Sequence, residues 1–243
     1  MKNMKKYRFD LVKGLLAIAL SLSTLAGHAQ QGTAAVGTSK TWGTVAGIKF
    51  TGLVQGPSSA AADLQIACVF EYTEGDIFTS PPALPAALNG LVHLDEALKG
   101  QLTDIRKSGK FDGRYLSTFY LDLPPGTIAG KKLLLIGLGD RAKFDESIMV
   151  GVGQVAVREA LKLGAGNFAL ATDIKDAGIS SKTALVQTNI TRGIISEYRS
   201  QSALRSGGWT KFKPLTEVFL LAGPAFFNDA GSGISSAIKE LNK

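Results

Sequence analysis

Residues 131–140 read KKLLLIGLGD, and the reading of this stretch decides the fold. Leu133 to Ile136 form an unbroken apolar run, and Gly137-Leu138-Gly139-Asp140 closes it. A short continuous run with a charged start and a glycine exit predicts a strand, Lys132 to Ile136, buried on both faces of a mainly parallel sheet. The residues that follow complete the unit. Asp145 is an N-cap candidate for a helix whose polar stripe Gln154, Arg158 and Lys162 lies opposite Ile148, Val152, Val155 and Ala156. Gly164 and Gly166 stop that helix, and Asn167 to Thr172 (NFALAT) predicts the next strand. The two strands are expected to be parallel neighbours joined by a right-handed crossover.

Upstream, Ala62 to Phe70 (ADLQIACVF) predicts a second buried strand, and Lys49 to Val54 a shorter one. Residues 30–42, rich in Gly, Ala, Thr and Ser, predict a loose arm. Glu74 to Pro85 carries three prolines and predicts an irregular crossing. Asp95 is expected to cap one helix, with Leu94, Ala97, Leu98, Leu102 and Ile105 at helical spacing, that ends near Gly109. Arg114 to Leu123 alternates like a strand, and Pro124-Pro125-Gly126 breaks it. Downstream, Ser180 or Ser181 opens a helix through Tyr198, Leu215 to Leu221 forms a last strand, and a helix from about Ala225 to Leu241 follows. The order ββαββαβαβα predicts an α/β fold, a three-layer α/β/α sandwich around a mixed, mainly parallel sheet.

The glycines after the first strand admit three readings. Gly137-Leu138-Gly139-Asp140-Arg141-Ala142 fits G-x-G-x-x-G/A, the dinucleotide fingerprint, with Asp173 ending the next strand as a ribose-binding acid would. The cap at Asp145 comes several residues late for a helix aimed at a pyrophosphate, and Asp140 would set a carboxylate beside it. A tight strand exit with close packing is the preferred reading. Some other ligand held by backbone N–H groups is the third, and Gly137, Gly139, Asp140 and Asp173 are the candidate ligand-binding residues. Gly151 and Gly153 inside the helix are costly, and close helix–sheet approach is expected to explain them.

The first 29 residues read as an export signal. Lys2, Lys5, Lys6, Arg8 and Lys13 precede the apolar run Gly14 to Ala26, and Gly27-His28-Ala29 offers small residues at a cleavage site. The run is too short for a permanent span, so no membrane association is expected after cleavage. The protein is expected to begin near Gln30 and to work in the periplasm or outside the cell. The whole chain carries 27 Lys+Arg and 20 Asp+Glu, a net +7. Residues 1–29 hold five of the bases and one acid, which leaves +3 for the remainder. That is an ordinary surface, and nucleic acid is not an expected partner.

Cys68 and His93 are the only Cys and His after residue 29, which rules out an intrachain disulfide and a Cys/His zinc site. Cys68, in the run IACVF, is expected to be a buried small hydrophobe. His93, beside a helix start, is expected to be packed or solvated. No cofactor and no catalytic or metal residue is assigned.

Several pieces in a fixed order carry a family resemblance. They are a helix ending in a Gly-Lys-Phe-x-Gly turn (Gly109 to Gly113), the strand L-L-L-I-G-L-G, a later helix leading into Tyr198-Arg199, and the final strand L-T-E-V-F-L-L. In this order, over residues 43–243, the chain resembles the N-terminal domain of the leucyl (cytosol) aminopeptidase family. The resemblance implies a macro-domain-like fold. It also implies a two-metal peptidase site in a second, C-terminal domain with an N-T-D-A-E-G-R-L signature, which this sequence does not contain. The family's N-terminal domain contributes to oligomer assembly and, in some members, to nucleic-acid contacts; an export signal departs from a cytosolic family. The chain is accordingly expected to be a secreted, non-catalytic binding or interaction module, with a protein partner or its own copies as partners. The alternatives are an accessory or assembly subunit of a separately encoded metallo-aminopeptidase and an ADP-ribose-type ligand binder or hydrolase. The loops after Ile136 and Thr172 are where a crevice at the strand ends is expected.

Overall fold

The structure is a computed structural model that describes residues 33–78 and 84–243. The export signal at 1–29 and the first residues of the arm lie outside the described residues. Seven strands form one sheet: β1 (Ser39–Val45), β2 (Ile48–Leu53), β3 (Leu64–Val69), β4 (Thr118–Asp122), β5 (Lys132–Gly137), β6 (Asn167–Ala171) and β7 (Glu217–Leu221). Their order is β1-β2-β7-β6-β3-β5-β4. The run β2-β7-β6-β3-β5 is parallel, and β1 and β4 close the edges antiparallel. Among the described residues five α-helices cover the faces: α1 (Gly90–Ala97), α2 (Gln101–Lys107), α3 (Met149–Lys162), α4 (Thr183–Ser206) and α5 (Phe227–Leu241).

Strand alternation sorts the core into its layers. On β5, Leu134 and Ile136 face one side with Ile66 and Cys68 of β3, Phe168 and Leu170 of β6, and Val218 and Leu220 of β7; α3, α4 and α5 pack there. Leu133 and Leu135 face the other side with Ala67 and Val69, under α1 and α2. Farther along that side the sheet presents Ala169, Ala171 and Leu221, flanked by Leu53 and Phe219, and the loop carrying Ala60 and Ala62 packs with them. The result is the α/β/α sandwich expected from the run at 131–140.

Four expectations are corrected. Strands β5 and β6 are parallel, but β3 lies between them and pairs with both. Periodicity marks a strand as doubly buried and says nothing about which buried strand is its neighbour. Residues 39–42 of the expected arm belong to β1, an edge strand anchored by Trp42 at a register shift between Thr41 and Gly43. The Trp42 ring fills the space that Cβ atoms at Gly52 and Gly231 would occupy and packs at a tilt against Phe227, with ring centres 5.6 Å apart. Long-range packing therefore orders a segment whose composition reads as loose.

The single helix expected around Asp95 is two. Lys99 (φ 54°) and Gly100 (φ 84°) adopt left-handed backbone and break it. Asn89 caps α1 by accepting the N–H groups of Leu91 and Val92, while the buried Asp95 caps α2 through the Thr103 N–H (3.0 Å) and hydroxyl (2.8 Å).

The glycines of α3 also serve a different neighbour from the one expected. A Cβ at Gly153 would overlap the Ile190 carbonyl, and one at Gly193 the Val150 carbonyl, so the two glycines set the closest approach of α3 to α4. Gly151 makes room for Tyr115, whose hydroxyl donates to the Ile148 carbonyl (2.9 Å).

Candidate functional site

The carboxyl ends of β2, β6 and β7 open onto a cleft of about 480 Å³. Its position follows from the topology: in an open parallel sheet the loops leaving the strand ends diverge to opposite faces and leave a crevice. Val54–Gly56 follow β2, Thr172–Asp176 follow β6, and Ala222–Pro224 follow β7. The first turns of α4 (Thr183, Val186, Gln187) and one side of α1 (Gly90, His93) complete the walls. Val36 borders it from the N-terminal segment, which is tied down by the Ala34 N–H to the Pro224 carbonyl (3.1 Å) and the Gly37 N–H to the Val54 carbonyl (2.8 Å). The lining is mainly apolar with a few convergent polar groups, the usual make-up of a small-molecule site.

The floor is built on two aspartates. Asp173, with φ 53°, is buried and accepts the Cys68 N–H at 3.0 Å. Asp176 accepts the Gly90 N–H at 2.8 Å, adding a second acceptor to the start of α1. Its own carbonyl accepts from Leu84 N–H (3.2 Å) and Asn89 Nδ2 (3.2 Å), so the β6–α4 loop is tied to α1. Burial, together with the facing Asp176 charge, pushes the Asp173 carboxyl well above the ordinary range. Burial also raises Asp176, against the pull of the Gly90 and Leu91 N–H groups. The two carboxyls interact and titrate as a pair, with Asp173 raised further than Asp176. Burial and Asp173 likewise push the Cys68 thiol up, and Cys68 is the inert core residue expected from its sequence context.

At the other wall stands Lys175. Its ammonium donates to the Ser181 carbonyl (2.7 Å) and lies 5.5 Å from the centre of the Phe226 ring. Burial lowers its pKa, with Glu146 opposing. Farther in, Gln187 is 2 % exposed, and its Oε1 is buried without a hydrogen-bond partner. The buried Thr188, Asn189 and Thr191 of the same helix are satisfied, whereas Arg192 Nε is also buried without a partner. Thr188 donates to the Ala184 (2.8 Å) and Gly233 (3.0 Å) carbonyls, Asn189 to Glu146 (2.8 Å), and Thr191 to Gln187 (2.8 Å).

Of the four candidate residues from the sequence, the cleft lining includes only Asp173. Gly137, Gly139 and Asp140 lie at the end of β5, separated from β6 by β3. The N–H groups of Gly137, Leu138 and Gly139 are bonded to the carbonyls of Ser117 (2.8 Å), Val69 (2.8 Å) and Gly113 (2.9 Å). None of the three is left for a phosphate. Asp140 caps a short turn through the Ala142 N–H (2.9 Å), which holds its carboxyl below the usual range, and pairs with Lys143 at 3.4 Å. The loop after Ile136 thus forms a strand exit, and the loop after Thr172 forms the crevice. Asp176, Lys175, Gln187 and the wall position of His93 were not singled out as a site from the sequence. The one signal available was a glutamine between the apolar positions Val186 and Ile190 of a helix, where a polar residue needs a reason.

Among the described residues no group of three or more His, Cys, Asp or Glu is placed to hold a metal ion, and none of their helices is long and apolar enough to cross a membrane. The donor set of a two-metal peptidase therefore does not fit the residues described.

Comparison with known proteins agrees with this architecture. The family model for the cytosol aminopeptidase family, N-terminal domain, matches residues 77–201, more than half of the chain. The chain belongs to that family through this domain. A probable cytosol aminopeptidase of Methylobacillus flagellatus is 45% identical over 53 residues, which are 22% of this chain and 10% of that protein. Among solved structures, a mutant of tomato leucine aminopeptidase is similar with a TM-score of 0.56 at 23% identity, over 78% of this chain and 35% of that one. The chain thus spans about a third of the tomato enzyme. A macrodomain from Oceanobacillus iheyensis is similar with a TM-score of 0.51 at 11% identity, over 84% of this chain and 97% of that one. A mutant of the same macrodomain with ADPR gives 0.52 at 9% identity, over 84% and 99%. At these identities the likeness concerns the fold, which is macrodomain-like.

Proposed function

We propose that this chain is an exported, non-catalytic binding module whose ligand or partner segment enters the cleft at the ends of β2, β6 and β7. The observation that carries the reading is the cleft itself: about 480 Å³ in volume, largely apolar, with few convergent polar groups. Export rests on the charged and apolar pattern of residues 1–29. The family membership supports a second reading, in which the domain docks on a separately encoded metallo-aminopeptidase as an accessory or assembly subunit.

Purified protein incubated with leucyl substrates, with and without zinc or manganese, should show no turnover. Chelator-sensitive turnover that co-purifies with the chain would overturn the non-catalytic reading. A thermal-shift screen of short peptides, nucleotides and ADP-ribose, with size-exclusion chromatography beside a catalytic aminopeptidase, separates ligand binding from docking. A mature N-terminus at Gln30 in an exported fraction is the expected result for localisation.

A further inference from the structure

The start of α4 carries cations and no acid of its own, and the Glu146 carboxylate that accepts the Lys182 N–H offsets them only in part. Lys182 stands at its N-cap position and makes no cap with its own side chain, and the first turn carries no Asp or Glu. The N-terminal end of a helix already bears partial positive charge. A second cation, Lys175, is fixed beside this end by its bond to the carbonyl of Ser181 (2.7 Å). One turn farther in, at the same cleft, is the unpartnered Oε1 of the buried Gln187. The nearby carboxylates are already engaged: Glu146 accepts the Lys182 N–H (2.9 Å), Asp176 accepts the Gly90 N–H (2.8 Å), and Asp173 accepts the Cys68 N–H (3.0 Å). Two cations at a helix N-terminus, offset in part by Glu146, and a buried carboxamide without a partner are features that an anionic ligand would relieve.

We propose that the cleft takes a small organic anion, its charged end on Lys175 and the first turn of α4, a hydrogen-bonding edge on Gln187, and its apolar body against Phe226 and Val186. This rests on the reading of the cleft as a binding site and assigns its chemistry. A carboxamide offers one donor and one acceptor side by side, which suits a ligand edge with the same pair. Two sources carry that chemistry: a short apolar peptide with a free carboxylate, and a nucleotide with its base edge and phosphate.

The test uses isotope-labelled full-length protein and titrations followed by NMR and calorimetry. The probes are N-acetyl-leucyl-leucine and its C-terminal amide, adenosine monophosphate and adenosine, and inorganic phosphate. At least one organic anion is expected to bind, more tightly than its neutral counterpart by roughly tenfold, the size expected of a charge-assisted hydrogen bond. The anion that binds identifies the source. Lys175→Met should abolish that preference. Gln187→Leu should weaken binding severalfold while leaving the melting temperature equal or higher, because it removes a buried group that has no partner.

Neutral probes that bind as tightly as the anions, indifferent to Lys175→Met, would overturn the anion assignment and leave the cleft a binding site. Binding by neither organic anion at millimolar concentration would overturn it as well. A Gln187→Leu variant with a clearly lower melting temperature would show that the carboxamide is satisfied within the fold, and would overturn its assignment to a ligand.

Discussion

Asp173→Asn tests the electrostatics of the cleft floor with a near-isosteric change. In the folded protein the buried Asp173 carboxyl is raised by burial and by the Asp176 charge well above its ordinary value of 3.8. The folded form therefore keeps a proton that the unfolded chain releases. The stability this group contributes is fully present below pH 3.8 and is lost as pH rises toward the folded value. The loss runs at about 1.4 kcal/mol per pH unit across that interval and cannot exceed about 4 kcal/mol at pH 7. Asparagine reproduces the protonated acid: its Nδ2 donates where the acid O–H did, its Oδ1 accepts the Cys68 N–H, and it has no proton to lose. The left-handed backbone here, φ 53°, is one that Asn tolerates better than most residues.

The Asn variant is therefore expected to be more stable than the wild type at pH 7 by about 1–4 kcal/mol, with the gap closing toward pH 4. Asp173→Ala supplies the contrast. Measured near pH 4, where ionisation costs little, it should lose about 1–3 kcal/mol by orphaning the Cys68 N–H. Urea titrations of the three proteins at several pH values between about 4 and 8 give both comparisons. An Asn variant weaker than the wild type at pH 7, or parallel to it across the range, would refute the raised Asp173 carboxyl.

Gly139→Ala should destabilise the fold by about 1 kcal/mol or more, since its φ is +79° and a Cβ would stand 3.2 Å from that of Tyr115. Gly137→Ala should cost more, because its Cβ would overlap the backbone carbonyls of Gly113 and Arg114; equal melting curves for the two variants would contradict the strand-exit role. Leu134→Ala and Phe168→Ala should each cost about 2–5 kcal/mol as core cavities, and a loss below about 1 kcal/mol in a denaturant titration would remove them from the core.

The layers of the fold were legible from 131–140 and its neighbours because strand burial is a local pattern. A strand that reads apolar at every position must be covered on both sides, so the α/β/α sandwich follows from Leu133 to Ile136 and from Ala62 to Phe70 almost directly. The end of the sheet that opens onto the cleft was half legible. Asp173 and the loop after Thr172 line the cleft, as expected from the rule that crevices open at strand ends, yet the same rule placed Gly137 to Asp140 at an end the structure fills with backbone hydrogen bonds. Sequence pattern shows that a glycine is needed; it does not show whether a ligand or a neighbouring chain segment occupies the space beside it.

What the sequence by itself determined, then, was the class of fold and the strands of the buried sheet, through the periodicity of apolar residues, and the family resemblance that the match over residues 77–201 bears out. Tertiary structure alone decided the rest. It inserted β3 between β5 and β6 and recruited residues 39–42 into an edge strand by seating Trp42 over Gly52 and Gly231. It also brought Lys175, Asp176 and Gln187 to one cleft from a loop and a helix. The physical reason is the range of the interactions. Alternation and capping act over a few residues and are written along the chain. Strand adjacency, a proton shared by two buried acids and an unpartnered amide depend on groups that come together only when the layers close.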